Sequence, residues 1–542
     1  VTGDSTGDDL SMHSLSYAPT IPNLLHRATD RFGERDYVVT PAQTLTIGDA
    51  EYRSRVLAKR LLRSGVGKGT RVGILFPQGP DFVVALLAVT RIGALVIPMS
   101  TFHRGPELRR VVAHADVHTF LAPRELLGGH VEDLLEAAWP SLRDTRESTL
   151  FIAEAPHLRH IWLCGGSDQG WVTPLPRLVE ILDEPSISDE LLGEVESAGA
   201  PSDPNVLIYT SGATAEPKAV VHTHGAQVRH GWSLAQQYEL TPDTRTFTTM
   251  PFFWVGGLTV SLLSHLHVGA AVITVERIDS RTMLDAIEQT RPTRLVGWGL
   301  VERLMSDPSF ADRDLRWLPD LVTPPPTDPR RRHGSLGMTE TCGPHTGVAA
   351  SANQMDLTDH LRGSFGSPLP GVEHRIVDPE TSAALADGAE GEICVRGYSL
   401  MDGLYKKERA DTFDGDGWYR TGDMGYFRDG YLFFTGRSTE MIKTAGANVS
   451  PREVELAIEE IPDVRAAFVV GLPDQERGQV VACVVCPQPG RTLDPGGVAD
   501  QLAARLSSYK VPRRVKVVSY DEAPWLPSGK ISKSGIVDLL TD

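Results

Sequence analysis

Only five cysteines occur in 542 residues, too few and too scattered to hold so long a chain as a disulfide framework. Cys483 and Cys486 have the Cys-x-x-Cys spacing, but they lie in Val480-Val481-Ala482-Cys483-Val484-Val485-Cys486. On a strand of period two those thiols point to opposite faces, which argues against a shared metal. No stretch offers the roughly 20 uninterrupted apolar residues that a membrane-spanning helix needs. The most apolar run, Val83 to Met99, is broken by Arg91. Positive charge is also in deficit. A formal net charge of −17 argues against a nucleic-acid partner, which requires a concentrated basic face to replace phosphate counterions. The one dense basic run, Arg330-Arg331-Arg332-His333, follows Pro324-Pro325-Pro326 and Pro329 and reads as a solvated loop. Val1 to Asp9 is polar and acidic with no apolar signal core, so residues 1–18 are expected to form a disordered or extended tail. There is no internal repeat and no long low-complexity segment. The expectation is a reduced, cytoplasmic chain.

What is present is the composition of a globular enzyme, 41% hydrophobic and 23% charged, long enough for roughly two to four folding units. Arg71 to Phe76 has a buried-strand pattern, Pro77-Gln78-Gly79 turns it into a helix beginning near Asp81, and a second strand runs from Ala94 to Met99. This is a βαβ unit. The same grammar recurs at Asn205 to Tyr209 (strand), Gly225 to Tyr238 (helix) and Leu258 to Val275 (helix, then strand), implying an α/β body with mostly parallel sheets. After about residue 365, Gly366, Pro368, Pro370 and Gly371 punctuate short strands such as Val372 to Val377 and Gly391 to Arg396. Beyond Gly436 a smaller α+β unit begins. It has helices over Pro451 to Glu460 and Val498 to Leu506, and strands over Ala466 to Gly471 and Gln479 to Cys486.

The sharpest local feature is Tyr209-Thr210-Ser211-Gly212-Ala213-Thr214-Ala215-Glu216-Pro217-Lys218. A strand runs into hydroxyls, a glycine and a lysine, which together can wrap phosphate oxygens. It is not a Walker loop, since Gly-x-x-x-x-Gly-Lys-Ser/Thr is missing and Ala219 follows the lysine. Gly337-Met338-Thr339-Glu340 sets a hydroxyl beside a carboxylate, suited to phosphate and Mg²⁺. Tyr419-Arg420-Thr421-Gly422-Asp423 offers an acid to the two hydroxyls of a ribose. Gly436-Arg437-Ser438-Thr439-Glu440-Met441-Ile442-Lys443 opens the last domain, and Pro527-Ser528-Gly529-Lys530-Ile531-Ser532-Lys533 closes it with a lysine on a glycine-relaxed loop. Each alone could be a surface turn; their order is what carries weight.

With these motifs assembled, the chain resembles the adenylate-forming superfamily of acyl-CoA synthetases, firefly luciferases and peptide-synthetase adenylation domains, and within it fatty-acid or medium-chain acyl-CoA ligases. The resemblance runs from about residue 20 to the end. It implies an α/β fold with a large N-terminal domain, residues 19–436, of two α/β sheets plus a β-rich subdomain at about 365–436. A hinge at 437–440 and a small mobile α+β domain at 441–542 would follow, with the site at the junction. The resemblance assigns Thr210, Ser211, Gly212, Thr214 and Lys218 to ATP phosphates, Thr339 to phosphate and Glu340 to Mg²⁺. Asp423 would take the ribose with Arg437 nearby, Lys530 the substrate carboxylate and α-phosphate, and Thr439 the hinge. Attack of an already ionised carboxylate on the α-phosphate needs positioning and charge neutralisation rather than a general base. For the later thiol attack, rotation about Thr439 would withdraw Lys530 and bring in the Lys443 to Asn448 loop. Through Lys443, Gly446 and Asn448 that loop resembles the segment admitting pantetheine.

The chain departs from this pattern in two places. Ala213, Ala215 and Ala219 stand where relatives carry threonine or serine, glycine and glycine; one hydroxyl is lost, but no donor N–H. Between Leu315 and Gly337 the family's Gly-Gly-Ala strand end along adenine has only Leu321-Val322-Thr323-Pro324-Pro325-Pro326-Thr327-Asp328-Pro329 in its place, so the adenine pocket is expected to be rebuilt or more open. The acyl pocket would be lined by Trp254, Gly256, Gly257, Trp298, Gly299, Leu336, Gly337, Thr341 and Cys342. Trp254 either gates an apolar tunnel or belongs to the core. No aspartate is placed for an α-ammonium, which points to a hydrophobic monocarboxylic acid, fatty or cyclic. The cofactors expected are ATP, Mg²⁺ and coenzyme A. An acyl-carrier protein or an amine remains as alternative acceptor, a catalytically degenerate nucleotide or acyl-adenylate binder is the alternative of another class, and either a monomer or a homodimer is compatible.

Overall fold

The computed structural model describes residues 15–541 except 182–185, 211–217, 298, 323–333, 350–358, 438–441, 445–446, 450, 475–476, 504–505, 507–509 and 527–529. Its described elements form two compact units. One comprises residues up to Glu373 with Arg396–Gly417, and the other His374–Val395 with Trp418 onward.

The first unit is built on two sheets. The larger has eight strands in the order Gly403–Leu404, Lys218–Thr223, Pro204–Thr210, Leu95–Pro98, Arg71–Ile74, Thr119–Pro123, His160–Cys164 and Val172–Leu175. From Pro204–Thr210 to Val172–Leu175 every neighbour is parallel, as βαβ connections require. Only Lys218–Thr223 and Gly403–Leu404 run antiparallel to their neighbours. The second sheet has five strands, in the order Arg294–Val296, Arg245–Thr248, Ala271–Ile273, Asp36–Val39 and Thr44–Thr46. Parallel strands covered on both faces read as near-continuous apolar runs, and Leu95–Pro98 and Ala271–Ile273 are buried at every position.

The apolar run at 83–99 resolves into two elements. Helix Pro80–Arg91 carries proline in its first turn, and nearly every residue is buried. A helix that is hydrophobic all round belongs inside a large core. Gly93, at φ 67°, turns the chain into strand Leu95–Pro98. Arg91 is the exception to the apolar lining at 1% exposure. Its guanidinium donates to Glu196 at 2.5 Å, to Glu51 Oε1 at 3.0 Å and to Ser54 Oγ at 3.1 Å. Burial alone would raise the pKa of Glu196, but His26 and Arg91 hold it below the usual carboxylate range.

The second unit opens with an antiparallel sheet of Val372–Val377, Gly391–Gly397, Tyr419–Arg428 and Tyr431–Arg437. A five-stranded sheet follows, in which Gly478–Pro487 pairs Val464–Asp474, Ile442–Thr444 and Arg514–Val517. Helices Pro451–Glu459, Pro495–Ala503 and Lys533–Thr541 belong to the same unit. Cys483 packs with Val454, Val469 and Ile442, whereas Cys486 Sγ lies 4.0 Å from Ser519 O. Ile442–Thr444 and Ala447–Val449 pair as a hairpin with Lys443 opposite Asn448, where a loop was expected. Among the described residues no helix is long and apolar enough to cross a membrane.

Arg91 yields a stability prediction. Arg91→Met removes the buried cation shared by Glu51 and Glu196, leaving Arg55 at 3.7 Å and His26 at 2.6 Å as their remaining partners, and is expected to cost about 3–5 kcal/mol at pH 7. The pairing of Arg91 with Glu196 requires the ionised carboxylate, whose folded pKa lies below the usual range. The loss should therefore shrink as pH falls below about 4.3, which urea unfolding at pH 7 and below that value would measure.

Candidate functional site

The hydroxyl-rich segment is framed by a hairpin. Strands Pro204–Thr210 and Lys218–Thr223 pair antiparallel with Thr210 opposite Lys218. Ser211, Gly212 and Thr214 lie outside the described residues, as do Trp298, Thr439, Gly446 and the side chains of Lys443 and Asn448. The hairpin is fixed from behind by Tyr209, whose hydroxyl lies 2.7 Å from His114 Nδ1. The two rings meet edge to face at 5.8 Å. Burial pushes the Tyr209 phenol well above its ordinary range, so it serves as a neutral hydrogen-bonding group.

Side chains alternate along a strand, so Lys218 and His222 share one face. That face meets the turn Thr339–Thr341. Lys218 forms an ion pair with Glu340, which is only 6% exposed. His222 Nε2 lies 2.7 Å from the Thr339 carbonyl oxygen. A carbonyl only accepts, so Nε2 carries the proton, and burial pushes the His222 pKa down to about 4, leaving the imidazole neutral at pH 7. Met401 N donates to the Glu340 carbonyl at 2.8 Å. The turn itself is held by Thr341, whose Oγ1 donates to Gly343 O at 2.7 Å, and is ended by Cys342 in the left-handed region at φ 62°. The short strand Gly337–Met338 pairs Gly343–Pro344 so closely that a Cβ on Gly337 would lie 2.5 Å from the Pro344 backbone.

The expected site residues Lys218, Thr339 and Glu340 are thus brought together. Among the described residues no group of three or more His, Cys, Asp or Glu could hold a metal by itself. A single buried carboxylate nevertheless fits Mg²⁺, which takes one or two protein carboxylates and completes its shell with phosphates and water.

The residues expected around the acyl group gather in part. Gly256–Leu263 is a π-helical stretch, a wider winding common at functional sites. A Cβ on Gly257 would fall 2.1 Å from Pro251 O, so only glycine permits this entry. Thr259 Oγ1 in the stretch lies 3.4 Å from Cys342 Sγ, and burial pushes that thiol up to about 12. Trp254 is half-buried, packs against the core of the large sheet and meets Phe253 edge to face at 5.5 Å. Gly299 caps helix Leu300–Met305 at φ 59°. Leu336 is fixed through its carbonyl, which accepts from His345 N at 2.8 Å. Sequence reasoning missed His222, and also His230. His230 is fully buried, with Nδ1 3.4 Å from the Tyr398 hydroxyl and Nε2 3.6 Å from where a Cβ on Gly343 would stand. The four-residue spacing from Lys218 on one strand was the available signal for His222.

In the second unit, Asp423 and Arg437 sit opposite each other on Tyr419–Arg428 and Tyr431–Arg437. Arg437 Nε lies 2.9 Å from Asp423 Oδ1. The turn before Asp423 is rigid: Thr421 Oγ1 donates to Ile393 O at 2.7 Å, Gly422 N donates to Glu392 Oε1 at 3.0 Å, and Gly422 takes φ 74°. Lys530 is exposed, and its carbonyl accepts from Leu526 N at 2.7 Å.

The sequence profile described as AMP-binding enzyme matches residues 25–405, and that described as AMP-binding enzyme C-terminal domain matches 453–530. An indoleacetate–CoA ligase of Aromatoleum aromaticum is 33% identical over 89% of this chain and 91% of its own length. The amide bond synthetase McbA of Marinactinospora thermotolerans is 25% identical, superposes with a TM-score of 0.76 and is covered to 99%, against 96% of this chain. The anthranilate CoA ligase AuaEII in complex with anthranoyl-AMP, 21% identical, shares the fold at a TM-score of 0.76 over 98% of both chains.

Five histidines of the first unit are held neutral by burial: His222, His224 and His267 at about 4, His230 and His265 at about 3. The unfolded chain takes up protons near pH 6.5 while the folded chain does not, so stability is fully present above that pH and is lost as pH falls toward 4. The expected slope is up to about 1.4 kcal/mol per pH unit per histidine. Denaturant unfolding of His222→Leu should show a shallower acid slope than the parent, alongside a loss of about 1–3 kcal/mol from the orphaned Thr339 carbonyl.

Proposed function

The chain belongs to the AMP-binding enzyme family, and on that premise we propose that it is an AMP-forming acid–thiol ligase joining a hydrophobic monocarboxylic acid to coenzyme A. In the first step a carboxylate oxygen of the acid attacks the α-phosphorus of ATP, and pyrophosphate leaves. In the second the CoA sulfur attacks the acyl carbonyl, the thiol proton is lost to solvent, and AMP leaves. The observation that carries this reading is the strand face on which Lys218 meets the buried Glu340 across 122 residues of sequence. It sets a mobile cation and a fixed carboxylate at the end of a hydroxyl-rich hairpin, as neutralisation of a polyphosphate requires.

Thr210, Ser211, Gly212, Thr214 and Lys218 orient the ATP phosphates, with Thr339 contributing a hydroxyl. Glu340 would hold Mg²⁺, which when bound screens charge on the phosphate oxygens. Asp423 accepts from the ribose hydroxyls, with Arg437 beside it at 2.9 Å. Lys530 neutralises the reacting carboxylate and α-phosphate during adenylation. Thr439 is the hinge between residues 19–436 and 441–542, and Lys443, Gly446 and Asn448 border the pantetheine path. Trp254, Gly256, Gly257, Trp298, Gly299, Leu336, Gly337, Thr341 and Cys342 surround the acyl group. The likeness to an amide bond synthetase favours an amine as the second acceptor reading.

The test is pyrophosphate release from MgATP across aliphatic and aromatic acids, with and without CoA. Acid-dependent release that CoA accelerates, with a thioester detected by mass, is expected; release indifferent to CoA but coupled to amide formation with an added amine would move the acceptor. Lys530→Ala should abolish adenylation yet leave transfer from a supplied acyl-adenylate largely intact. Equal loss of both half-reactions in a folded variant would remove the assignment of Lys530 to one step.

A further inference from the structure

The first unit contains a cavity of about 470 Å³ whose walls include neither the Lys218–Glu340 pair nor the π-helical stretch. That volume lies within the roughly 300–1,000 Å³ of small-ligand sites. Helix Ile21–Phe32 and the segment before it form one side, and the C-terminal half of helix His224–Gln237 forms the other. No carboxylate belongs to the lining, although the chain carries a net charge of −17. Two guanidiniums do, those of Arg27 and Arg31.

These two arginines stand one helical turn apart, where like charges repel, and neither makes an ion pair among the described residues. Each instead lies over a ring: Arg27 is 5.4 Å from the centroid of Tyr17, and Arg31 is 4.9 Å from that of Phe32. The Tyr17 hydroxyl is buried with no hydrogen-bond partner among the described residues, which is costly unless a ligand or solvent supplies one. Burial pushes its pKa up to about 12, so it remains a donor at neutral pH. Trp232 and Gln236 line the cavity from helix His224–Gln237.

We propose that this cavity is a second ligand site, binding an aromatic organic anion apart from the acid-activating centre. The ring system lies between Phe32 and Trp232, and the anionic group takes the charges of Arg27 and Arg31 and the proton of the Tyr17 hydroxyl. Helix His224–Gln237 starts at the Thr223 cap, directly after the strand that carries Lys218 and His222. The wall of the cavity is therefore continuous with the strand that presents Lys218.

The probe is 1-naphthalenesulfonate, which has the ring and the charge but no carboxyl group to adenylate, titrated by calorimetry into the full chain. Saturable binding is expected, weakened by added KCl, and retained when a non-hydrolysable aroyl-adenylate analogue fills the activating centre. Affinity should fall about tenfold or more in the double variant Arg27→Ala/Arg31→Ala, and separately in Gln236→Glu, which sets a carboxylate against the anion. All three side chains are exposed, so both variants should keep the parent thermal midpoint and pyrophosphate release. Parental affinity in both variants overturns the proposal, as does displacement of the probe by the analogue. An affinity that rises when residues 1–14 are deleted would give the cavity to the chain's own acidic terminus and overturn it equally.

Discussion

A carboxylate buried as deeply as Glu340 is costly without a cation, and Lys218 forms an ion pair with it. That pair and the bond from His222 to the Thr339 carbonyl fasten one strand face to a turn more than a hundred residues away. The hairpin register, the left-handed Cys342 and the close pairing of Gly337 with Pro344 all serve to bring the turn to that face. On the proposed assignment, nucleotide phosphates compete for Lys218. Each step that draws the lysine toward phosphate frees charge on Glu340 for a divalent cation. The empty and loaded states would then share one electrostatic balance, with the partner of Glu340 exchanged rather than lost.

The neutral histidine beside the pair matters for a different reason. An imidazolium at His222 would be a buried cation near Glu340 and would compete with Lys218 for it. Burial prevents this by holding His222 uncharged, so it acts only as a donor to a carbonyl. The fastening is thus mechanical on the His222 side and electrostatic on the Lys218 side.

Much of this was legible in the residues. Alternating strand and helix patterns gave the parallel sheets, and five ordered motifs pointed to nucleotide chemistry because each carries its function in adjacent residues. What the sequence did not disclose are relations between distant segments. Arg91 interrupts an apolar run, and nothing local says that Glu51 and Glu196 will meet it. His222 follows Lys218 at a spacing that a strand makes meaningful, yet its partner is a backbone carbonyl, which leaves no mark in composition. The Lys443 to Asn448 segment was expected to be a loop from its resemblance to the segment admitting pantetheine, whereas Ile442–Thr444 pairs antiparallel with Ala447–Val449. His230 and Tyr398 meet only because helix and strand connection place them so.

The winding of Gly256–Leu263 has an evolutionary consequence. A π-helical stretch accommodates residues beyond what an α-helix over the same span would hold, and removing one would rewind it and rotate the following side chains by about 100° about the axis. Thr259 would then turn away from Cys342, while the helices and sheets around it stayed in place. On the proposed assignment of this stretch to the acyl pocket, relatives differing by a single-codon deletion here would present altered surfaces to their acids on an unchanged scaffold, a larger step in specificity than any one substitution along this stretch provides.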